Sequence, residues 1–129
     1  MLLLGKRVAQ ILAAIVFGLA ITGPAQADQA SISHVVLVWL NDGVPQEQIT
    51  KIINGAEILT TIDVVQGLKI GRAVPSDRAT VDDSFSFALT VEFANKADMQ
   101  TYIEHETHIE YVSSTLKPAL KRILVYDFQ

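Results

Sequence analysis

The stretch TYIEHETHIEY, Thr101 to Tyr111, holds two of the three histidines in the chain and two of its three tyrosines. Imidazole is the side chain that exchanges protons near neutral pH, and a phenol hydroxyl can donate to an oxygen that gains charge. At 100° per residue, Tyr102, His105, Ile109, Val112 and Leu116 share one arc of a helix, with His108 at its edge. Glu104, Glu106 and Glu110 point elsewhere and read as a solvated face. A polar side chain on an apolar arc must find a partner or lose about 1 to 3 kcal/mol when buried. Two readings follow. Either Tyr102, His105 and His108 line a cavity, or they are core residues whose ring nitrogens are satisfied by backbone carbonyls.

The third histidine, His34, opens the first apolar strand, and Asp127 sits in VYDF at the end of the last. If those strands are antiparallel neighbours, His34 and Asp127 lie side by side. The carboxylate would then orient His108 or His34, fix its tautomer and raise its basicity, as a histidine general base requires. The candidate site is thus His108 as the base, with Tyr102, His34, His105 and Asp127 around it. A metal is not expected. The histidines of HETH are three apart, unlike H-E-x-x-H, and a metal would have to recruit His34 or Asp127 as well. No cofactor is expected either, since the chain has no cysteine, no G-x-S-x-G and no glycine-rich phosphate loop.

These residues need a scaffold, and its elements are legible in the hydrophobic pattern. HVVLVWL, His34 to Leu40, is a strand apolar on both faces, so it must be covered on both. QEQITKIINGAEIL carries Ile49, Ile52, Ile53, Ala56 and Leu59 at helical spacing, which predicts a helix of about 14 residues. Val64 to Val74 reads as a second strand. In SFSFALTVEF, Ser84 to Phe93, the aromatic and aliphatic residues alternate with small or polar ones, the pattern of a third. A helix is predicted from Lys96 to Leu116, capped by Asn95, with a break near His105 to Thr107. Arg122 to Phe128 forms the last strand. The order βαββαβ predicts an α+β, ferredoxin-like sandwich with both helices on one sheet face. The other face is apolar enough that a second subunit is expected to cover it, giving a homodimer.

The first 27 residues belong to a different category. Lys6 and Arg7 precede the uncharged apolar run Ile11 to Gly23, and AQA follows Pro24. This pattern is that of a signal peptide cut after Ala27, the alternative being an uncleaved membrane anchor. The remaining domain, 28–129, would be exported to the periplasm or the medium, without stable membrane association after cleavage. It carries 8 basic against 14 acidic residues. Nucleic acid is therefore not an expected partner, because no basic patch exists to meet phosphates. With no cysteine, stability in an oxidising compartment must come from the core or from association.

Taken together, HVVLVWL, FALTVEF, YIEHETH, LKP and ILVYDF resemble the stress-responsive dimeric α/β-barrel (Dabb) family over about His34 to Phe128. The resemblance implies two sheets closing into a barrel between subunits, with a small pocket in each. It also implies roles known from the plant polyketide cyclases of that family. Residues matching His108 and Tyr102 carry an aldol condensation there, a match to Asp127 orients the histidine, and a match to His34 lines the pocket. Many members are stress-associated proteins without an assigned reaction, so binding of a small apolar or aromatic molecule is the first expectation, cyclase or lyase chemistry the second, and a ligand-free structural dimer the third. The export reading is checked by N-terminal sequencing of the isolated protein. Asp28 is the expected first residue, and an intact Met1 form in the membrane fraction would favour the anchor.

Overall fold

Strand β1, Ile32–Leu40, lies inside a four-stranded antiparallel sheet and sets the geometry of the rest. The structure, a computed structural model, describes residues 31–129; the expected signal peptide lies outside the described residues. The elements after β1 are helix α1, Gln46–Gly55, prolonged by a 3-10 segment, Ala56–Thr61; strands β2, Gly67–Arg72, and β3, Phe87–Phe93; helix α2, Lys96–Glu104; a short helix α3, Glu106–Glu110; a π-helical segment, Tyr111–Leu116; and strand β4, Leu120–Phe128, entered through a 3-10 turn, Lys117–Ala119. The sheet order is β2-β3-β1-β4, so the expected ferredoxin-like α+β fold is present.

Alternation along the strands sorts the two faces. Ile32, His34, Val36, Val38 and Leu40 of β1 are buried under the helices, together with Phe87, Leu89, Val91 and Phe93 of β3. Val38, Phe87, Val91 and Phe93 have no exposure at all. Each such side chain contributes about 1.5 to 3 kcal/mol on leaving water. The opposite face carries Val35, Leu37 and Trp39 of β1, the small or polar Ala88, Thr90 and Glu92 of β3, and Leu124, Tyr126 and Phe128 of β4. Tyr126 and Phe128 are more than half exposed, which leaves an apolar sheet face uncovered in the single chain. At one end of it the Arg122 guanidinium lies 4.4 Å over the Trp39 ring.

The strand pairing is regular where the histidine sits and irregular at the other end. His34 faces Val91 on one side and Asp127 on the other. The β1 to β4 ladder runs without interruption from Ser33↔Phe128 to Trp39↔Arg122 and then slips, Leu40 pairing with Leu120. The predicted boundaries differ most in β2 and in the helices. β2 is shorter than Val64 to Val74, and the helix starting at Gln46 tightens to 3-10 geometry after Gly55 instead of continuing as α-helix to Leu59.

Asn95 caps α2 as expected, its side chain accepting from the Asp98 N–H at 2.9 Å. Since α2 delivers Tyr102, this cap fixes the start of the helix on which the site depends. Replacing it, Asn95→Ala, is expected to lower stability by about 1 kcal/mol. The check is urea unfolding, with a lower midpoint at unchanged slope.

Candidate functional site

Between the helical layer and the β1–β4 side of the sheet lies a cavity of about 310 Å³. Its walls are largely apolar, from Val36, Leu59, Leu89, Ile103, Val112, Leu116, Ile123 and Val125, and its polar groups are His34, Tyr102, His108, Tyr111 and Asp127. An apolar cavity with a few convergent polar groups is the usual form of a small-molecule site.

Four of the five residues singled out from the sequence meet here, and one does not. His34 and Asp127 face each other across the β1–β4 ladder, with Nδ1 of the imidazole 2.6 Å from Oδ1 of the carboxylate. A carboxylate accepts, so Nδ1 carries the hydrogen of this contact. The histidine is buried while the Asp127 side chain is 42% exposed, placing the carboxylate at the cavity's solvent end. Tyr102 is buried to 1% exposure and stacks within a cluster of rings, 6.0 Å from His34, 5.0 Å from Phe93 and 4.6 Å from His108, centroid to centroid. Its hydroxyl makes no hydrogen bond among the described residues, yet no buried side-chain polar atom there lacks a partner. The hydroxyl therefore opens onto the cavity. Burial raises its pKa well above the ordinary value of 10, which keeps it a hydrogen-bond donor.

His105 is the correction. It is exposed and does not line the cavity: α2 stops at Glu104, and the arc drawn at 100° per residue does not hold across the expected break. At His105 the backbone is extended, with φ −68° and ψ 137°. The break shifts the helical phase, so Ile109, assigned to the apolar arc, is 54% exposed, whereas Tyr111 turns inward. His105 acts as an N-cap instead: its Nδ1 accepts from the Thr107 N–H at 3.1 Å. In an uninterrupted helix that N–H would go to the carbonyl of Ile103. The freed carbonyl accepts from Nδ1 of His108 at 3.0 Å.

That exchange decides how His108 works. A carbonyl can only accept, so the proton is on Nδ1 and Nε2 is the basic nitrogen. Asp127, for which both histidines were considered, belongs to His34; His108 is oriented by the backbone. Desolvation lowers the His108 pKa below its ordinary 6.5, the hydrogen bond to Ile103 works in the opposite direction, and the His34 ring adds to the lowering. His108 is thus a neutral imidazole at neutral pH, held with one lone pair free. Tyr111 was not assigned to the site from the sequence. Its hydroxyl donates to the Ile52 carbonyl at 2.9 Å, tying the π-helical segment to α1, and burial pushes its pKa up to about 12. The available signal was its position at the end of the same tyrosine and histidine stretch. Among the described residues no cluster of three or more His, Cys, Asp or Glu can hold a metal, and no helix is long and apolar enough to cross a membrane.

Comparison with known proteins agrees with this geometry at the level of fold and family. The sequence model of the stress responsive A/B barrel domain, Dabb, matches residues 32–129. A stress-response A/B barrel domain-containing protein of Arabidopsis thaliana is 26% identical over 97 residues, covering 75% of this chain and 36% of that protein. The chain thus spans about a third of the length of that relative. Among solved structures, a hydroxynitrile lyase from Passiflora edulis superposes with a TM-score of 0.66 at 24% identity, over 78% of this chain and 93% of the other. A dimeric protein of ferredoxin-like fold from Bacteroides fragilis gives 0.62 at 22% identity, over 77% and 95%.

The lowered His108 pKa has a definite sign in stability. Below about pH 6.5 the unfolded chain takes up this proton before the folded one does, so the His108 contribution falls as pH drops through the folded value and is constant above 6.5. Imidazole nuclear magnetic resonance should show an Nδ1–H tautomer and a midpoint below 6.5 for His108. Urea unfolding should lose part of its dependence on pH in this range in His108→Gln.

Proposed function

The chain belongs to the stress-responsive A/B barrel domain family, and on that premise we propose that it is an exported homodimeric barrel protein binding a small apolar or aromatic molecule in the cavity between its helices and sheet. The observation that carries the reading is the pairing of Tyr102 and His108. Their rings are in contact, and a hydroxyl donor and a free imidazole lone pair open into one apolar space. A bound molecule would place an oxygen against Tyr102 and an acidic hydrogen against Nε2 of His108, with its apolar part against Leu59, Leu89 and Leu116. The dimer is supported by the uncovered apolar sheet face, by the exposed Tyr126 and Phe128, and by the dimeric relative of like fold. Export is the reading of residues 1–27.

A second reading is supported by the same groups and by the likeness to a hydroxynitrile lyase. In it His108 takes a proton from a carbinol oxygen or from a carbon next to a carbonyl, and Tyr102 stabilises the oxygen that becomes negative. The His34–Asp127 pair forms the facing wall of the cavity.

Two substitutions test the site against a purely structural role. His108→Ala removes one hydrogen bond to a carbonyl at a partly buried position, so the expected loss of stability is about 1 kcal/mol. Binding or turnover across a panel of aromatic and β-keto compounds should be abolished. Tyr102→Phe should fold and lose affinity for carbonyl compounds while keeping affinity for hydrocarbons of the same shape. A loss nearer 2 to 5 kcal/mol in His108→Ala, with ligand binding intact, would return both residues to the core.

A further inference from the structure

We propose that this cavity selects uncharged ligands and rejects carboxylates, with Asp127 as the residue that sets the preference; the inference rests on the reading of the cavity as a ligand pocket. No lysine or arginine stands among the lining residues. Nδ1 of His108 is committed to the Ile103 carbonyl and Nδ1 of His34 to Asp127, so neither N–H is available to a ligand's negative group. What remains toward the cavity is one hydroxyl donor, Tyr102, and the Nε2 lone pair of His108, which repels an anion as any acceptor does. Burial lowers the tendency of His108 to acquire the charge that would reverse this.

A carboxylate entering this space would leave water without a cation or a set of donors to replace it, and isolated buried charge is the most costly kind of polar burial. It would also approach Asp127, a carboxylate at the cavity's solvent end. Lys96 lines an outer groove shared with Asp127 and forms no ion pair with it among the described residues. The excess of acidic residues over the domain adds repulsion of the same sign at longer range. By contrast, a carbonyl or carbinol oxygen is matched by the Tyr102 hydroxyl, and a neighbouring hydrogen by Nε2 of His108. The ligand class is therefore a neutral carbonyl or carbinol compound with an alkyl or aryl remainder.

Acetophenone and benzoate have nearly the same shape and differ in charge at neutral pH, which makes them suitable probes. Each is titrated into the protein while the His108 ring resonances are followed. Acetophenone should bind at least about tenfold more tightly. Asp127→Asn should narrow the difference. Val125→Lys, which adds a cation to a wall position that is 42% exposed and so needs little burial, should strengthen benzoate binding about tenfold. Benzoate binding as tightly as acetophenone to the unsubstituted protein would overturn the charge preference and leave the pocket standing. A difference unchanged in the folded Asp127→Asn protein would overturn the assignment to Asp127. Failure of both probes to bind would overturn the pocket reading, and this inference with it.

Discussion

Pairing of the first strand with the last holds both the core and the site in place. β1 and β4 are the ends of the chain's fold, with residues 34 and 127 in direct register. Closing a loop of that length has a large entropic cost, and it is offset by an uninterrupted ladder and by the apolar residues that β1 buries on the helical side. The His34–Asp127 hydrogen bond sits on this ladder, so its 2.6 Å geometry is backed by main-chain pairing instead of by flexible loops. A site built across strands is positioned more rigidly than one built on connections.

The helical side of the cavity is organised by an interruption. One backbone hydrogen bond, Thr107 N–H to the Ile103 carbonyl, is given up at His105, and two histidine side chains take its two halves. The local cost is small because both polar groups remain paired. The gain is that His108 receives a fixed tautomer without a carboxylate beside it, and a basic nitrogen with no neighbouring negative charge remains a neutral base. The two histidines of the cavity are thus oriented by different means, His34 by a carboxylate and His108 by a carbonyl. The π-helical segment that follows brings Tyr111 and Leu116 back to the buried side after the break.

Much of the scaffold was legible because strands record burial in a period of two. Phe87, Leu89, Val91 and Phe93 announced β3, and the paired faces of β1 announced a sheet covered on one side by helices and in need of cover on the other. Asn95 announced the start of α2. From strand order alone, His34 could be placed beside Asp127. The helix carrying the histidines was less legible, since its period holds only while the backbone stays α-helical. Extrapolating 100° per residue places His105 and Ile109 on the buried arc, but the backbone becomes extended at His105 and both residues are exposed. The division of partners between His34 and His108 was not legible either. It depends on a carbonyl being released, which is an event in the backbone that side-chain types do not record.

The slip between Trp39 and Leu40 has a consequence for how this sequence can drift. It sits at the end of the β1–β4 ladder remote from His34 and Asp127, next to the turn that feeds β4. A residue gained or lost in that turn can be taken up where the pairing is already out of step, as a wider or narrower bulge. The regular part of the ladder, anchored by residues buried in alternation, then keeps its alignment, because a shift of one position would turn each of those side chains to the wrong face. The irregularity works as an expansion joint. Length variation is absorbed at one end of the strand pair while the histidine and aspartate at the other stay opposite each other.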